Sequence, residues 1–332
     1  MSGIRVGVLR GGPSSRYGSS LATGASILKH LPTEFRPVDV LVDRRGNWHL
    51  NGLSASPESI KRSLDVAINA LHGDFGQDGG VQQILEALGL PYTGPRPVSA
   101  ALAANKQLTK TLLEREGIKM PTGLHFSAIG QVEEEADEVF KRLSPPWIIK
   151  PANRAALKPL LAYDFPALEQ ALQAYRHHYQ PILVEEYIVG RRALGGVLNH
   201  FRNRRHYSLP VAEVPLGVER SPDGKYFILN LSAPMICPGL FNDSVKEEIA
   251  DLAIRAHQSL GLAHYSASDF VVSPRGIYFL GTDTLPALTE DAFWPQAFQA
   301  VGGNLRQFIG HLIDLTLSAG HQNQTISENR YF

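Results

Sequence analysis

The chain has 332 residues, more than one compact core usually serves, so two or three domains are expected. Its 32 Lys plus Arg balance its 32 Asp plus Glu, and a formal charge of zero recommends neither a nucleic-acid partner nor an anionic membrane surface. The single cysteine, Cys237, cannot form an internal disulfide or build a thiolate metal site, which fits a reducing cytoplasm.

Residues 4–9 form a short apolar run closed by Gly11, Gly12 and Pro13, the pattern of a buried first strand entering a loop. No charged leader precedes it, and no apolar run approaches the roughly 20 residues that span a bilayer, so a soluble, unexported protein is expected. Leu21, Ala25, Leu28 and Leu31 recur at helical spacing before Pro32. A strand follows at 37–42. Ser56 before Pro57 opens a helix through Leu64. Residues 66–71 read as a strand and 81–88 as a helix. This alternation predicts a parallel sheet covered on both faces.

Residues 100–117 read as one helix stopped by Gly117, and 131–143 as an amphipathic helix whose Glu133, Glu134 and Glu135 form a solvated face. Strands at 147–150 and 182–185 flank a helix at 168–175. Beyond Arg191 strands dominate, at 194–201, 206–214 and 227–231. A helix at 245–260 then leads to strands at 266–272 and 277–280 and a helix at 305–318. The tail from Ala319 is polar and is expected to fray. Boundaries near 95 and 187 divide the chain into domains at 1–95, 96–187 and 188–320, with a tail at 321–332.

Familiar site signatures are missing. Gly11-Gly12-Pro13-Ser14 does not continue as G-x-G-x-x-G, and no P-loop, H-E-x-x-H or G-x-S-x-G occurs. His177-His178 sits in a polar connection and reads as a solvated pair.

Other segments carry a likeness. Gly11-Gly12-Pro13-Ser14-Ser15, then His72 to Gly79 with Gln82, and Pro91-Tyr92-Thr93-Gly94 come in one order. Asn105-Lys106 with Thr109-Lys110, Ile148 to Pro151 and Leu183 to Glu186 follow. Ser268-Asp269-Phe270, Tyr278-Phe279-Leu280, Thr284, Pro286 and Thr289 close the series. Over residues 4–315 this resembles the D-alanine–D-alanine ligases. The resemblance implies an α/β and α+β fold of three-domain ATP-grasp architecture with an N-terminal parallel-sheet domain. It also implies ATP and Mg²⁺ as the reaction's partners. The family forms an acyl phosphate on one D-alanine, which the amine of a second attacks.

By that resemblance Lys106 and Lys150 contact ATP phosphates, Glu185 and Ile188 line the adenine site, His72 orients the first substrate, and Asp269 and Asp283 are metal ligands. The bland alternative makes each a surface or strand-end residue without a ligand. Other positions depart from the family. Arg16 replaces the Glu that holds the substrate ammonium, and Ala155-Ala156-Leu157-Lys158-Pro159 replaces a Gly-Ser-rich phosphate loop. Arg192 replaces a ribose-binding Glu, Ala267 the oxyanion-stabilising Arg, Ala287 a glycine and Gly281 the Glu that bridges two metal ions. Asp283 stands for an Asn, and Ala292-Phe293 for a Ser-Leu pair. No role is assigned to Lys225 and Tyr226.

Losing one oxyanion donor alone costs about 10²–10³ in rate. The leading expectation is therefore a catalytically inactive homologue with a binding or partner role, as a homodimer or as a heterodimer with an active ligase. The alternative is an active ATP-dependent D-alanine–D-alanine or related carboxylate–amine ligase in peptidoglycan precursor synthesis. A third reading, an anion or nucleotide sensor, rests on Arg154, Lys158 and Arg192, against the simpler reading of solvent-facing charge.

Overall fold

The computed structural model describes residues 3–127, 129–152, 159–176, 181–215, 217–220, 227–230 and 235–328, with backbone alone for 217–220, 227–230 and 319–328. The chain opens with β1 (Arg5–Gly11), α1 (Tyr17–His30), β2 (Arg36–Val42), β3 (Trp48–Leu50), β4 (Leu53–Ser54), α2 (Pro57–Lys61), β5 (Val66–Asn69) and α3 (Gly80–Ala87). Their sheet runs β4-β3-β2-β1-β5. β1 pairs in parallel with β2 and β5, as the alternation predicts, but β3 and β4 extend the sheet antiparallel. The reason is local. Asp43 Oδ1 accepts from Arg45 N and Asn47 N, and Gly46 takes φ +86°, closing a turn too short for a crossover helix.

The middle of the chain supplies α4 (Pro97–Ala104), α5 (Lys106–Arg115), β6 (Gly123–Phe126), α6 (Val132–Arg142), β7 (Trp147–Pro151), β8 (Leu160–Ala162), α7 (Phe165–Arg176) and β9 (Ile182–Glu186). The single helix expected at 100–117 is two. Asn105 leaves helical geometry, and its Oδ1 accepts from Gln107 N and Leu108 N as the cap of α5. That cap places Lys106 at the first turn.

Next come β10 (Arg191–Phe201), β11 (Arg204–Ser208), β12 (Ala212–Val214), β13 (Gly217–Arg220) and β14 (Phe227–Asn230). They are followed by α8 (Asp243–Ser259), β15 (Tyr265–Ser273), β16 (Gly276–Asp283), α9 (Phe293–Ala300) and α10 (Leu305–Glu328). A second sheet runs β13-β14-β8-β7-β9-β6, and a third runs β11-β10-β15-β16 with β12 also on β10. The strand expected at 206–214 is interrupted at Leu209-Pro210, where proline has no N–H to give a ladder. α9 escaped the pattern reading because Pro295 sits inside it, although a first turn tolerates proline. α10 continues to Glu328, past the point where fraying was expected.

The two ends of the chain share a core. Val6, Val8 and Ile27 pack in one cluster with Tyr265, Trp294, Phe308 and Leu312, and Trp294 stacks on Phe308 at 5.0 Å. A separate cluster under the second sheet holds Val139, Trp147, Ile149, Leu168 and Val184. Among the described residues no helix is long and apolar enough to cross a membrane.

Glu135 corrects the expected solvated face of α6. It is 7% exposed, beside Ala136 and Val139 of the core, and Arg176 of α7 donates to its Oε1. Removing one partner of a buried ion pair strands the other, so Arg176→Ala is expected to cost about 3–5 kcal/mol. The double change Glu135→Leu with Arg176→Met should recover most of it, as read from paired urea denaturation curves. A double variant no more stable than Arg176→Ala rejects the assignment.

Candidate functional site

Period-two alternation in β7 and β9 builds the cleft floor. Trp147 and Ile149 face the core, which turns Ile148 and Lys150 outward; Ile182 and Val184 face it too, which turns Leu183 and Glu185 the same way. Two contiguous hollows result, sharing Lys150, Glu185 and Leu280. The first, about 910 Å³ with its solvent-open mouth, is bounded by Arg16, Lys106, Lys150, Glu185 and Asp283. The second, about 710 Å³ on the same measure, is more apolar, with Ile148, Tyr187, Ile188, Val271 and Leu280 around Arg192 and Asp269.

Lysines surround Glu185. The Lys150 ammonium lies 2.6 Å from Glu185 Oε2, and that of Lys110 lies 3.6 Å from Oε1. Glu185 itself is 4% exposed, so both partners compensate a desolvated carboxylate. Lys106 Nζ donates to Pro151 O at 2.9 Å. Burial pushes its ammonium down to about 8 and Lys150 adds to the push, while Glu185 and Asp74 oppose it. Lys110 was quoted in the sequence pattern without a role; its place one turn after Lys106 on α5 was the available signal.

The acidic positions are engaged. Arg192 Nε donates to Asp269 Oδ1 at 2.8 Å and its Nη2 to Oδ2 at 2.5 Å. β10 and β15 bring them together: Leu194 pairs with Asp269 and Arg192 with Val271, so Arg192 and Asp269 are diagonal neighbours on one face. Burial opposes the Arg192 charge, yet Asp269 holds its guanidinium above the usual range. Asp283 Oδ1 accepts from Gln77 Nε2 and from Leu285 N at 3.0 Å, and its Oδ2 is 3.9 Å from Arg16 Nη1.

The loop carrying Gln77 is tied to the loop that follows β1. Ser14 Oγ donates to His72 O, and Gly73, at φ +77°, leaves no room for a Cβ beside that hydroxyl. His72 does not line either hollow. It is buried with Nε2 2.9 Å from Thr23 Oγ1, and burial pushes it down to about 4, with Asp283 opposing and Arg16 reinforcing.

Ala267 is packed in the shared core, and Ala287 is half-buried outside the cleft lining. Ala292 stands at the N-terminal boundary of α9 without a side-chain cap, and Phe293 packs against Gly196, where a Cβ would sit 2.8 Å from its ring. Ala156, with Arg154, Ala155, Leu157, Lys158, His177, His178, Lys225 and Tyr226, lies outside the described residues.

At Gly281 an added Cβ would meet nothing within 4 Å, and the backbone there is outside the left-handed region. Gly281→Glu is therefore expected to change stability by no more than about 0.5 kcal/mol. A thermal melt checks this, and a loss several times larger would reveal a steric demand for glycine.

A family model described as "D-ala D-ala ligase C-terminus" matches residues 112–314. A D-alanine–D-alanine ligase of Syntrophobacter fumaroxidans is 31% identical over 317 residues, covering 95% of this chain and 98% of that one. The chain belongs to the D-alanine–D-alanine ligase family. The structure of a family member from Coxiella burnetii superposes with a TM-score of 0.83 at 21% identity, covering 99% and 98% of the two chains. That of the Bacillus anthracis ligase complexed with ATP gives 0.75 at 22%, covering 96% and 99%. The fold is accordingly the mixed α/β architecture of ATP-grasp ligases, with the first sheet part parallel and part antiparallel.

The family's ligands meet this cleft unequally. An apolar hollow beside two lysines suits a base and its phosphates. Mg²⁺ needs oxygen ligands, usually one or two carboxylates with water and phosphate. Here Arg192 occupies both oxygens of Asp269, Asp283 is engaged, Gly281 offers no side chain, and no three His, Cys, Asp or Glu among the described residues form a metal group. The donor set does not fit the family's metal pair.

Proposed function

We propose that this chain binds an adenine nucleotide in the two-part cleft and does not perform D-alanine ligation, acting instead as a binding or partner member of its family. The observation that carries this is the bidentate Arg192–Asp269 pair, which ties up a carboxylate that the chemistry would need, next to Gly281. Ile188, Ile148 and Leu280 are positioned to hold the base, and Lys106 and Lys150 the phosphates. The proposal includes cytoplasmic localisation, pairing with itself or with an active ligase, and the domain division at 1–95, 96–187 and 188–320.

A second reading is an active ATP-dependent ligase for D-alanine or a related carboxylate–amine pair. The named relatives weigh toward it, since the 31% identity to a D-alanine–D-alanine ligase runs nearly end to end. ADP release from ATP, Mg²⁺ and D-alanine separates the two. Turnover of about 1 per second or more, ordinary for an enzyme, establishes the second reading and removes the first. Nucleotide binding without turnover supports the first.

A further inference from the structure

A carboxylate that would otherwise call for a metal ion already has its cation. Arg192 and Asp269 meet side by side in the second hollow, their side chains 12% and 24% exposed, so their pairing is shielded from much of the screening that weakens surface ion pairs. Arg192 cannot lose its proton, and a divalent cation approaching Asp269 would have to break two charge-assisted hydrogen bonds and sit beside a fixed positive charge.

Three further acids of the two hollows are engaged as well. Glu185 lies between Lys150 and Lys110, Glu186 accepts from Arg275 and from Thr122 N, and Asp283 accepts from Gln77 and Leu285 N. The cations, in contrast, keep donors in reserve. Arg192 commits Nε and Nη2 to Asp269, and among the described residues its Nη1 makes no hydrogen bond. Lys150 stands at the junction of the two hollows, with Lys106 in the first and Arg192 in the second. The three line a path from the apolar base site toward the open mouth.

We propose that Arg192, locked across Asp269, is a built-in cation that takes the place of divalent metal, so that the diphosphate of an adenine nucleotide binds here metal-free between Arg192, Lys150 and Lys106. This rests on the nucleotide reading above. It goes further by assigning the ligand's charge state and the residue that makes metal unnecessary. Asp74 and Asp78 also border the first hollow, and they favour a diphosphate held at the junction over a longer chain reaching the mouth.

Calorimetric titration of the full chain with ADP, once in EDTA and once in excess Mg²⁺, tests it. The expected dissociation constants agree within about threefold, a difference under 1 kcal/mol. Binding about tenfold or more tighter in Mg²⁺ overturns the metal-free site while leaving the nucleotide reading intact; no binding in either buffer overturns both. Arg192→Ala should weaken ADP in EDTA by about tenfold or more and make the remaining affinity respond to Mg²⁺. An equal loss in both buffers would assign Arg192 a structural role only. Asp269→Asn preserves shape and removes the charge that a metal would need. With Arg192 still present, its ADP dissociation constants in EDTA and in excess Mg²⁺ should again agree within about threefold, and a Mg²⁺ preference of about tenfold or more in this variant rejects the proposal.

Discussion

Lowering the pH from 7.5 to 5 is expected to remove about 6 kcal/mol of folding stability through three histidines that burial keeps neutral. His257 is fully enclosed, with Nδ1 2.8 Å from Ser266 Oγ and its ring 5.6 Å from that of His206. Burial pushes its imidazolium down to about 3, and His206 and His264 add to the push. His72, pushed down to about 4, is the second, and His264, which burial also pushes down to about 4 and whose Nδ1 accepts from Gly94 N at 2.9 Å, is the third. All three values lie below the roughly 6.5 of an unfolded histidine, so the unfolded chain takes up protons first as the solution acidifies. Their contribution is complete above pH 6.5 and declines toward the folded values. At pH 5 each is about 1.5 units below its unfolded pKa, which at about 1.36 kcal/mol per unit is about 2 kcal/mol apiece. Against a typical total of about 5–15 kcal/mol this is a large share. Urea midpoints at pH 7.5, 6.5 and 5 measure it, and His257→Gln should flatten the slope by about a third. Midpoints that stay level across the range would mean that none of the three rings is kept neutral by the fold.

The contrast between these histidines and the cleft shows what a linear pattern reveals. The order of glycine-rich loops and strand ends marked the family because close backbone approaches permit few residue types: a Cβ on Gly76 would strike Leu71 O, and one on Gly73 would strike Ser14 Oγ. Strand alternation around Lys150 and Glu185 was legible for the same reason, since core packing at Ile149 and Val184 decides which neighbours face the cleft. Partnerships across the fold were not legible. Arg192 was read as a lost acceptor, and its seat on Asp269 follows only from the β10–β15 register, which brings together residues 77 apart. The break at Asn105 was hidden because its flanks are good helix formers, and the cap wins only once the Lys106 amide also bonds Ala152 O at 3.3 Å. His72 carried a substrate role by resemblance, yet its side chain is tucked beneath the cleft on Thr23.

Replacing Glu185 with Gln is expected to cost about 3–5 kcal/mol and to make the fold respond to an added anion. The change keeps the side-chain shape but removes the carboxylate charge that lies 2.6 Å from Lys150 and 3.6 Å from Lys110. Lys106 loses a favourable neighbour at the same time, because Glu185 is one of the two groups opposing the fall of its pKa. At an effective dielectric of about 20, like charges 4 Å apart repel by about 4 kcal/mol, so three ammonium groups on one wall are costly without the carboxylate. A multivalent anion binding only the folded chain returns stability as RT ln(1 + [L]/Kd), about 2.7 kcal/mol at a hundredfold excess over Kd. Inorganic pyrophosphate should therefore raise the melting temperature of Glu185→Gln by more than it raises that of the unmodified chain. Equal shifts would place the anion away from this wall, and an unaltered denaturation midpoint in the variant would show that Glu185 does not balance the lysines at all. Both readouts bear on the same point: in this cleft a carboxylate of the protein balances the lysines, and a phosphate binds through the ammonium donors that this carboxylate leaves unused.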